Sequence, residues 1–197
     1  MANPIRMTAL LLALGAAGCA TVPPPDPQPQ VVLDTTAGNI TLQLDRVHAP
    51  ISTGNFMRYV CEGHYDGTSF HRVVANFVIQ GGGYDVNLKD RPRHPPIKLE
   101  AGNGLSNLRG SLAMARDAAP DTADAEFYIN LVDNLKLNPH PEIPGREHGY
   151  AVFGQVIDGM AVVDSIAAEP THAVSDDFAN VPDHPVVIRK ASSRACR

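Results

Sequence analysis

The run Phe70-His71-Arg72-Val73-Val74-Ala75-Asn76-Phe77-Val78-Ile79-Gln80-Gly81-Gly82 holds the residues of this chain best suited to chemistry. Two short β-like stretches flank a small turn at Ala75-Asn76. If the turn centres on Asn76, Arg72 lies opposite Gln80 across an antiparallel pair, on one face. A guanidinium with fixed donors then stands beside a neutral amide and the ring of Phe77. Such a set binds a neutral peptide group next to an apolar ring. It contains no nucleophile, no general base and no metal cage.

Other reactive residue types fall in weaker patterns. Gly81-Gly82-Gly83 lacks the following Lys-Ser/Thr of a phosphate loop and reads as a tight turn. His140, His148, His172 and His184 lie in polar, Pro-rich loops without metal-ligand spacing. Asp117, Asp121 and Asp124 lack the Gly and distal Glu of a calcium loop. No Ser/His/Asp or Cys/His arrangement stands in a motif setting, so hydrolase chemistry has no support. No metal and no cofactor is expected.

The elements that must position Arg72 and Gln80 are short. Val31-Leu33 reads as a strand, Ala37-Gly38-Asn39 as a turn, and Ile40, Leu42 and Leu44 alternate with polar residues to complete a hairpin. Pro50 suits the first turn of a helix whose apolar residues Phe56, Tyr59 and Val60 run up to Gly63. Further strands are expected at Phe70-Val74, Phe77-Gln80, Ile97-Leu99, Ser111-Ala115, Glu126-Leu131, Ala151-Ile157 and from Pro185-Ile188. A second short helix is expected over Met160 to Ala167. Many short strands with Gly/Pro turns suggest a barrel or sandwich.

With 197 residues, 44% hydrophobic and 19% charged, the chain can build one domain with a core and falls short of two. A formal charge of -5 and the absence of Trp argue against nucleic acid as a partner. Near the N-terminus, Arg6 precedes a short apolar run, Thr8 to Ala17, too short for an ordinary membrane span. Ala16-Ala17-Gly18-Cys19 resembles a bacterial lipobox, with Ala16 where Leu is commoner; in that pattern the Cys becomes the lipidated first residue. The reading is a signal peptide over 1–18, a lipidated Cys19 and Pro-rich linker over 19–30, and a folded domain over 31–197. The domain is then anchored in a bacterial envelope, facing the periplasm; the alternative is a soluble periplasmic protein. Pro23 to Pro29 is expected to be an extended spacer. Cys61 and Cys196 can pair in an oxidising compartment, but the reading leans to an unpaired Cys61 at a helix end and a loose Cys196.

The run from Phe70 to Gly82 closely resembles the signature of the cyclophilins, the peptidyl-prolyl cis-trans isomerases. Further blocks follow in order: Gly110 to Arg116, Phe127 to Asn130, Gly149 to Gly154 and Gly159 to Asp164. The resemblance spans Val31 to about Ile188. It implies a mainly β fold, a closed antiparallel barrel of about eight strands with two short helices at its ends. It implies rotation of X-Pro bonds in proline-containing polypeptides, by a monomer, without cofactor. Arg72 takes the catalytic place. Phe77, Val78, Tyr128, Leu137 and Tyr150 seat the proline ring, Gln80, Ala115 and Arg116 meet the substrate backbone, and His71 supports. The rival is a module that holds proline peptides and turns them over poorly. Four departures stand out. Val78 is smaller than the frequent Met, Tyr128 adds a hydroxyl to the pocket wall, and Lys136 takes an often aromatic place. Glu126 replaces a usual Gln. Its carboxylate is expected to pair with Arg72 or Arg116, or to repel acidic substrates, so that it competes for the catalytic cation; the alternative is that the ionised Glu126 positions Arg72 productively.

Overall fold

The computed structural model describes residues 25–196. The signal-peptide and Cys19 assignments fall outside those residues. The chain opens with a hairpin of β1 (Gln30–Thr35) and β2 (Gly38–Leu44), in register from Gln30 opposite Gln43 to Thr35 opposite Gly38. Alternation buries Val31, Leu33, Ile40, Leu42 and Leu44 on one face, as a half-buried strand pair requires. Helix α1 (Pro50–Cys61) begins with its proline, where a missing N–H costs nothing. Its first free N–H groups are met from far along the chain: Ile51 N and Ser52 N donate to the Glu100 carboxylate at 2.9 and 2.7 Å. A negative charge at that end also suits the helix dipole.

The remaining elements are β3 (Arg72–Val74), β4 (Val78–Gly81), β5 (Ser111–Met114), β6 (Phe127–Asn130), a 3-10 turn (Leu135–Leu137), β7 (Val152–Asp158), α2 (Met160–Ala167), β8 (Thr171–His172), β9 (Val181–Pro182) and β10 (Ile188–Ser192). Eight strands form one antiparallel sheet in the order β10-β1-β2-β7-β5-β6-β4-β3. The inner face holds the main core. At its centre Phe56 of α1 packs against Tyr65, Phe127 and Phe153, with ring centroids 5.0–5.3 Å apart.

Three expectations need correction. The barrel is open, not closed: β3 and β10 form no ladder. A single bridge, Ser69 opposite Val187, spans the seam, with Phe70 N donating to Val186 O and Ile188 N to Thr68 O. Just before β10 the chain pairs elsewhere, Val181 and Pro182 with His172 and Thr171. Ile97-Leu99 is not a strand. It follows Pro95-Pro96, makes one bridge from Ile97 to Ala123, and gives its Leu99 N–H to the Asp121 carboxylate. Nor does the end of the Pro-rich run hang free. Proline has no N–H but its carbonyl still accepts, and Leu44 N donates to Pro29 O and Arg46 N to Pro27 O, at 2.9 and 3.0 Å.

Cys61 and Cys196 form a disulfide, against the expectation that both stay unpaired; their Cα atoms are 5.2 Å apart. Pairing of β10 with β1 carries the tail back to the end of α1, a closeness that no local pattern encodes. The bond closes a sequence separation of 135 residues. Replacing both cysteines by serine should therefore cost about 2–4 kcal/mol of stability, largely through the unfolded chain. In a domain of this size that lowers Tm by roughly 5–15 °C, readable by calorimetry.

Candidate active site

The β3–β4 hairpin turns through Ala75 and Asn76, closed by Phe77 N donating to Val74 O at 3.0 Å. Asn76 takes φ 57°, a left-handed conformation that asparagine tolerates better than most side chains. Arg72 then pairs with Gln80, as the sequence reading requires. The row continues across the sheet: Gln80 opposite Tyr128, Tyr128 opposite Ala113, and Ala113 opposite Val152. Alternation sends their neighbours Ile79, Ile129, Leu112 and Phe153 into the core. The row itself stands on the outer face, where Val78, Ala113, Tyr128 and Val152 form a second apolar cluster with Phe77, Leu137 and Tyr150 packed on it.

A cavity of about 260 Å³ opens on this face, lined by Arg72, Phe77, Val78, Gln80, Ala115, Arg116, Tyr128, Leu137 and Tyr150. The sequence reading named every one of these. His71, also named, is buried behind it, and Glu126 lines an adjoining hollow of about 90 Å³ with Arg93 and the shared Gln80, Ala115 and Arg116. Another hollow of about 290 Å³ lies beside Gln43, Leu105, Arg109 and Gln155, but no aromatic ring lines it to seat an apolar ring.

The two cavity arginines differ in their commitments. Arg116 donates Nε to Gly149 O at 2.8 Å and Nη1 to Asp117 O and Ala118 O, and stacks 4.7 Å from the Tyr150 centroid. It is a pinned wall. Arg72 meets one acceptor among the described residues, Gln80 Oε1 at 3.1 Å from Nη1, and lies 5.9 Å from the Phe77 centroid. Its other donors have no acceptor among the described residues. Lys136 covers Phe77 from another side, with Nζ 4.6 Å from the ring centroid, so a cation–π contact stands where the resemblance leads one to expect an aromatic ring.

The Tyr128 hydroxyl does not add a polar group to the pocket wall. It turns into the protein and donates to Asn107 Oδ1 at 2.7 Å. Asn107 belongs to a buried amide network: Asn130 Nδ2 donates to Asn107 Oδ1 and Ser111 Oγ, and Asn134 Nδ2 to Asn130 Oδ1 and Phe77 O. This network ties Phe77 to the turn that carries Leu137. The sequence reading missed it because isolated asparagines carry no pattern.

Glu126 pairs with neither Arg72 nor Arg116. Its Oε1 lies 3.0 Å from Arg93 Nη1, and its Oε2 accepts from Gln80 Nε2 at 2.7 Å and lies 3.3 Å from His71 Nε2. Burial pushes its pKa up, but His71, Gln80 and the Arg93 charge pull it below the ordinary carboxylate value, so it is ionised at neutral pH. Arg93 also holds Asp90 and Asp124, which fix its charge. His71 is buried against Tyr84 and Phe178, with Nε2 toward Glu126 and Nδ1 without a hydrogen-bond partner among the described residues. Arg93 was not singled out from the sequence. A buried carboxylate's need for a cation was the available signal, but its partner lies 33 residues away in a Pro-rich loop.

An eight-stranded antiparallel sheet, whose outer face joins a guanidinium with donors to spare, an amide and an apolar ring seat, is the frame of a cyclophilin. The model of the cyclophilin type peptidyl-prolyl cis-trans isomerase family matches residues 30–193. A peptidyl-prolyl cis-trans isomerase A of Dickeya dadantii is 48% identical over 161 residues, 82% of each chain. A peptidyl-prolyl cis-trans isomerase of Acinetobacter baylyi is 50% identical over 158 residues, 80% of this chain and 81% of that one. The crystal structure of a Cryptosporidium parvum cyclophilin type peptidyl-prolyl cis-trans isomerase superposes with a TM-score of 0.68 at 23% identity, covering 85% of this chain and 98% of that one. The chain belongs to the cyclophilin-type peptidyl-prolyl cis-trans isomerases and catalyses cis-trans isomerisation of X-Pro bonds.

The Asn107 network makes a testable demand. Asn107→Ala strands the Tyr128 hydroxyl and should cost about 1–3 kcal/mol in urea unfolding. Adding Tyr128→Phe should restore part of that loss, because no buried hydroxyl is then left without a partner. Strictly additive losses would mean the two side chains are not coupled.

Proposed function

We propose that Arg72 is the catalytic donor of this isomerase, and that the domain works on envelope proteins from a lipid anchor at Cys19. The carrying observation is the uncommitted side of the Arg72 guanidinium, placed beside the ring seat of Phe77. Rotation of an X-Pro bond breaks no covalent bond, but amide resonance sets a barrier of about 18–20 kcal/mol. As the amide twists, its nitrogen becomes pyramidal and gains a lone pair that accepts a hydrogen bond. Phe77, Val78, Tyr128, Leu137 and Tyr150 hold the proline ring. A donor from Arg72 then favours the twisted amide over either planar form, which is the differential binding that catalysis requires. Gln80 holds Arg72 and faces the substrate backbone with Ala115, and Arg116 closes the wall.

The envelope setting rests on other observations. The apolar run Thr8 to Ala17 leads into Cys19, and the Pro-rich stretch after it spaces the domain from a surface. The Cys61–Cys196 disulfide favours an oxidising compartment over the cytosol. The substrates are then extended X-Pro segments of unfolded or flexible envelope proteins.

In a protease-coupled assay on a proline tetrapeptide, Arg72→Ala should lose about 2–3 kcal/mol of transition-state stabilisation from kcat/KM while keeping the wild-type Tm. Unchanged kcat/KM in the folded variant would remove Arg72 from the mechanism. For the anchor, mass spectrometry of the mature N-terminus should find acyl chains on Cys19, and Cys19→Ser should release the protein from membranes. An unmodified chain beginning after Cys19 would exclude the anchor.

A further inference from the structure

Gly83 follows β4 and has no side chain for a reason that local turn geometry does not supply. A Cβ there would stand 2.5 Å from Glu126 Oε1 and 2.8 Å from Arg93 Nη2. The space is filled by an ion pair from two other parts of the chain. From that pair a line of contacts runs to the cavity. Arg93 holds Glu126, Glu126 Oε2 accepts from Gln80 Nε2 at 2.7 Å, and Gln80 Oε1 accepts from Arg72 Nη1 at 3.1 Å. Gln80 thus sits between a group that only accepts and a group that only donates. One orientation of its amide satisfies both. The flipped amide would set oxygen against carboxylate and NH2 against guanidinium. A neutral amide at position 126 carries no such polarity, because it both donates and accepts.

We propose that Glu126, clamped by Arg93 over Gly83, is a positioning residue for the isomerisation: it locks the Gln80 amide so that its single oxygen holds and aims Arg72. Of the two outcomes the sequence leaves open, competition for Arg72 and productive positioning of it, the geometry favours the second. The competition is absent because the carboxylate is already met by Arg93 and His71. The inference rests on Arg72 as the donor. Aim matters most for the twisted amide, whose nitrogen accepts in one direction, whereas the proline ring is seated by apolar side chains in every state. The effect therefore belongs in kcat.

Glu126→Gln conserves the shape and removes the polarity. It should lower kcat about three- to tenfold, roughly the worth of one hydrogen bond, with KM little changed. In an Arg72→Ala background the same substitution should do nothing further. Nitrogen NMR of the Arg72 guanidinium should show restricted rotation in the wild type and averaging in Glu126→Gln. Arg93→Lys, which loosens the clamp from the adjoining hollow and keeps the positive charge, should show the same pattern at smaller amplitude and serves if the first variant does not fold. Wild-type or raised kcat in the folded variants would overturn the proposal, as would equal losses with and without Arg72. An Arg72→Ala enzyme of full activity would instead overturn the catalytic reading of Arg72, a separate and recognisable result.

Discussion

A slip of one residue between β3 and β4 would send Arg72 and Gln80 to opposite faces of the sheet and leave no site. Everything functional in this structure depends on that register. It is held from both ends. Asn76 accepts the left-handed turn that centres the hairpin, and Val73 and Ile79 are buried in the core, so the alternate pairing would expose them. Because β4 pairs with β6 and β6 with β5, the same register is passed across the sheet to Tyr128 and Ala113, and a register shift between Leu112 and Ala113 then sets Val152 opposite Ala113. The site is one cross-strand row, and its precision is that of a hydrogen-bonded ladder rather than of a loop.

Behind the row, two polar systems support two parts of the cavity. The asparagine network of Asn107, Asn130 and Asn134 holds the Phe77 carbonyl and the turn that bears Leu137. The chain from Arg93 through Glu126 and Gln80 ends on Arg72. The first is buried, so an unmet donor or acceptor there would be costly; the second is partly buried and joins groups of fixed polarity. The apolar seat and the donor are therefore set independently. That separation suits a reaction in which the ring stays put while the amide beside it twists.

Local pattern was legible where burial imposes a period. The alternation of Ile40, Leu42 and Leu44, the helical spacing of Phe56, Tyr59 and Val60, and the hairpin about Asn76 all appear in the structure. Ile97-Leu99 misled because a short apolar stretch looks alike in a strand and in a loop that packs at one point. The open seam was unreadable for a related reason. It depends on which partners the chain before β10 takes, more than a hundred residues after β3.

The sequence by itself determined which residue types line the cavity, since Arg72, Phe77, Val78 and Gln80 sit in one hairpin whose period-two alternation decides their faces. It determined the family as well, through blocks whose order and spacing leave little freedom. Only the tertiary structure decided the partners of the charged and sulfur-bearing groups. Cys61 meets Cys196, Glu126 meets Arg93, and Glu100 caps α1, each across a long stretch of chain. The reason is physical. Alternation and helical spacing follow from the chain's own geometry, whereas an ion pair or a disulfide follows from which distant surfaces the packed core brings within a few ångströms.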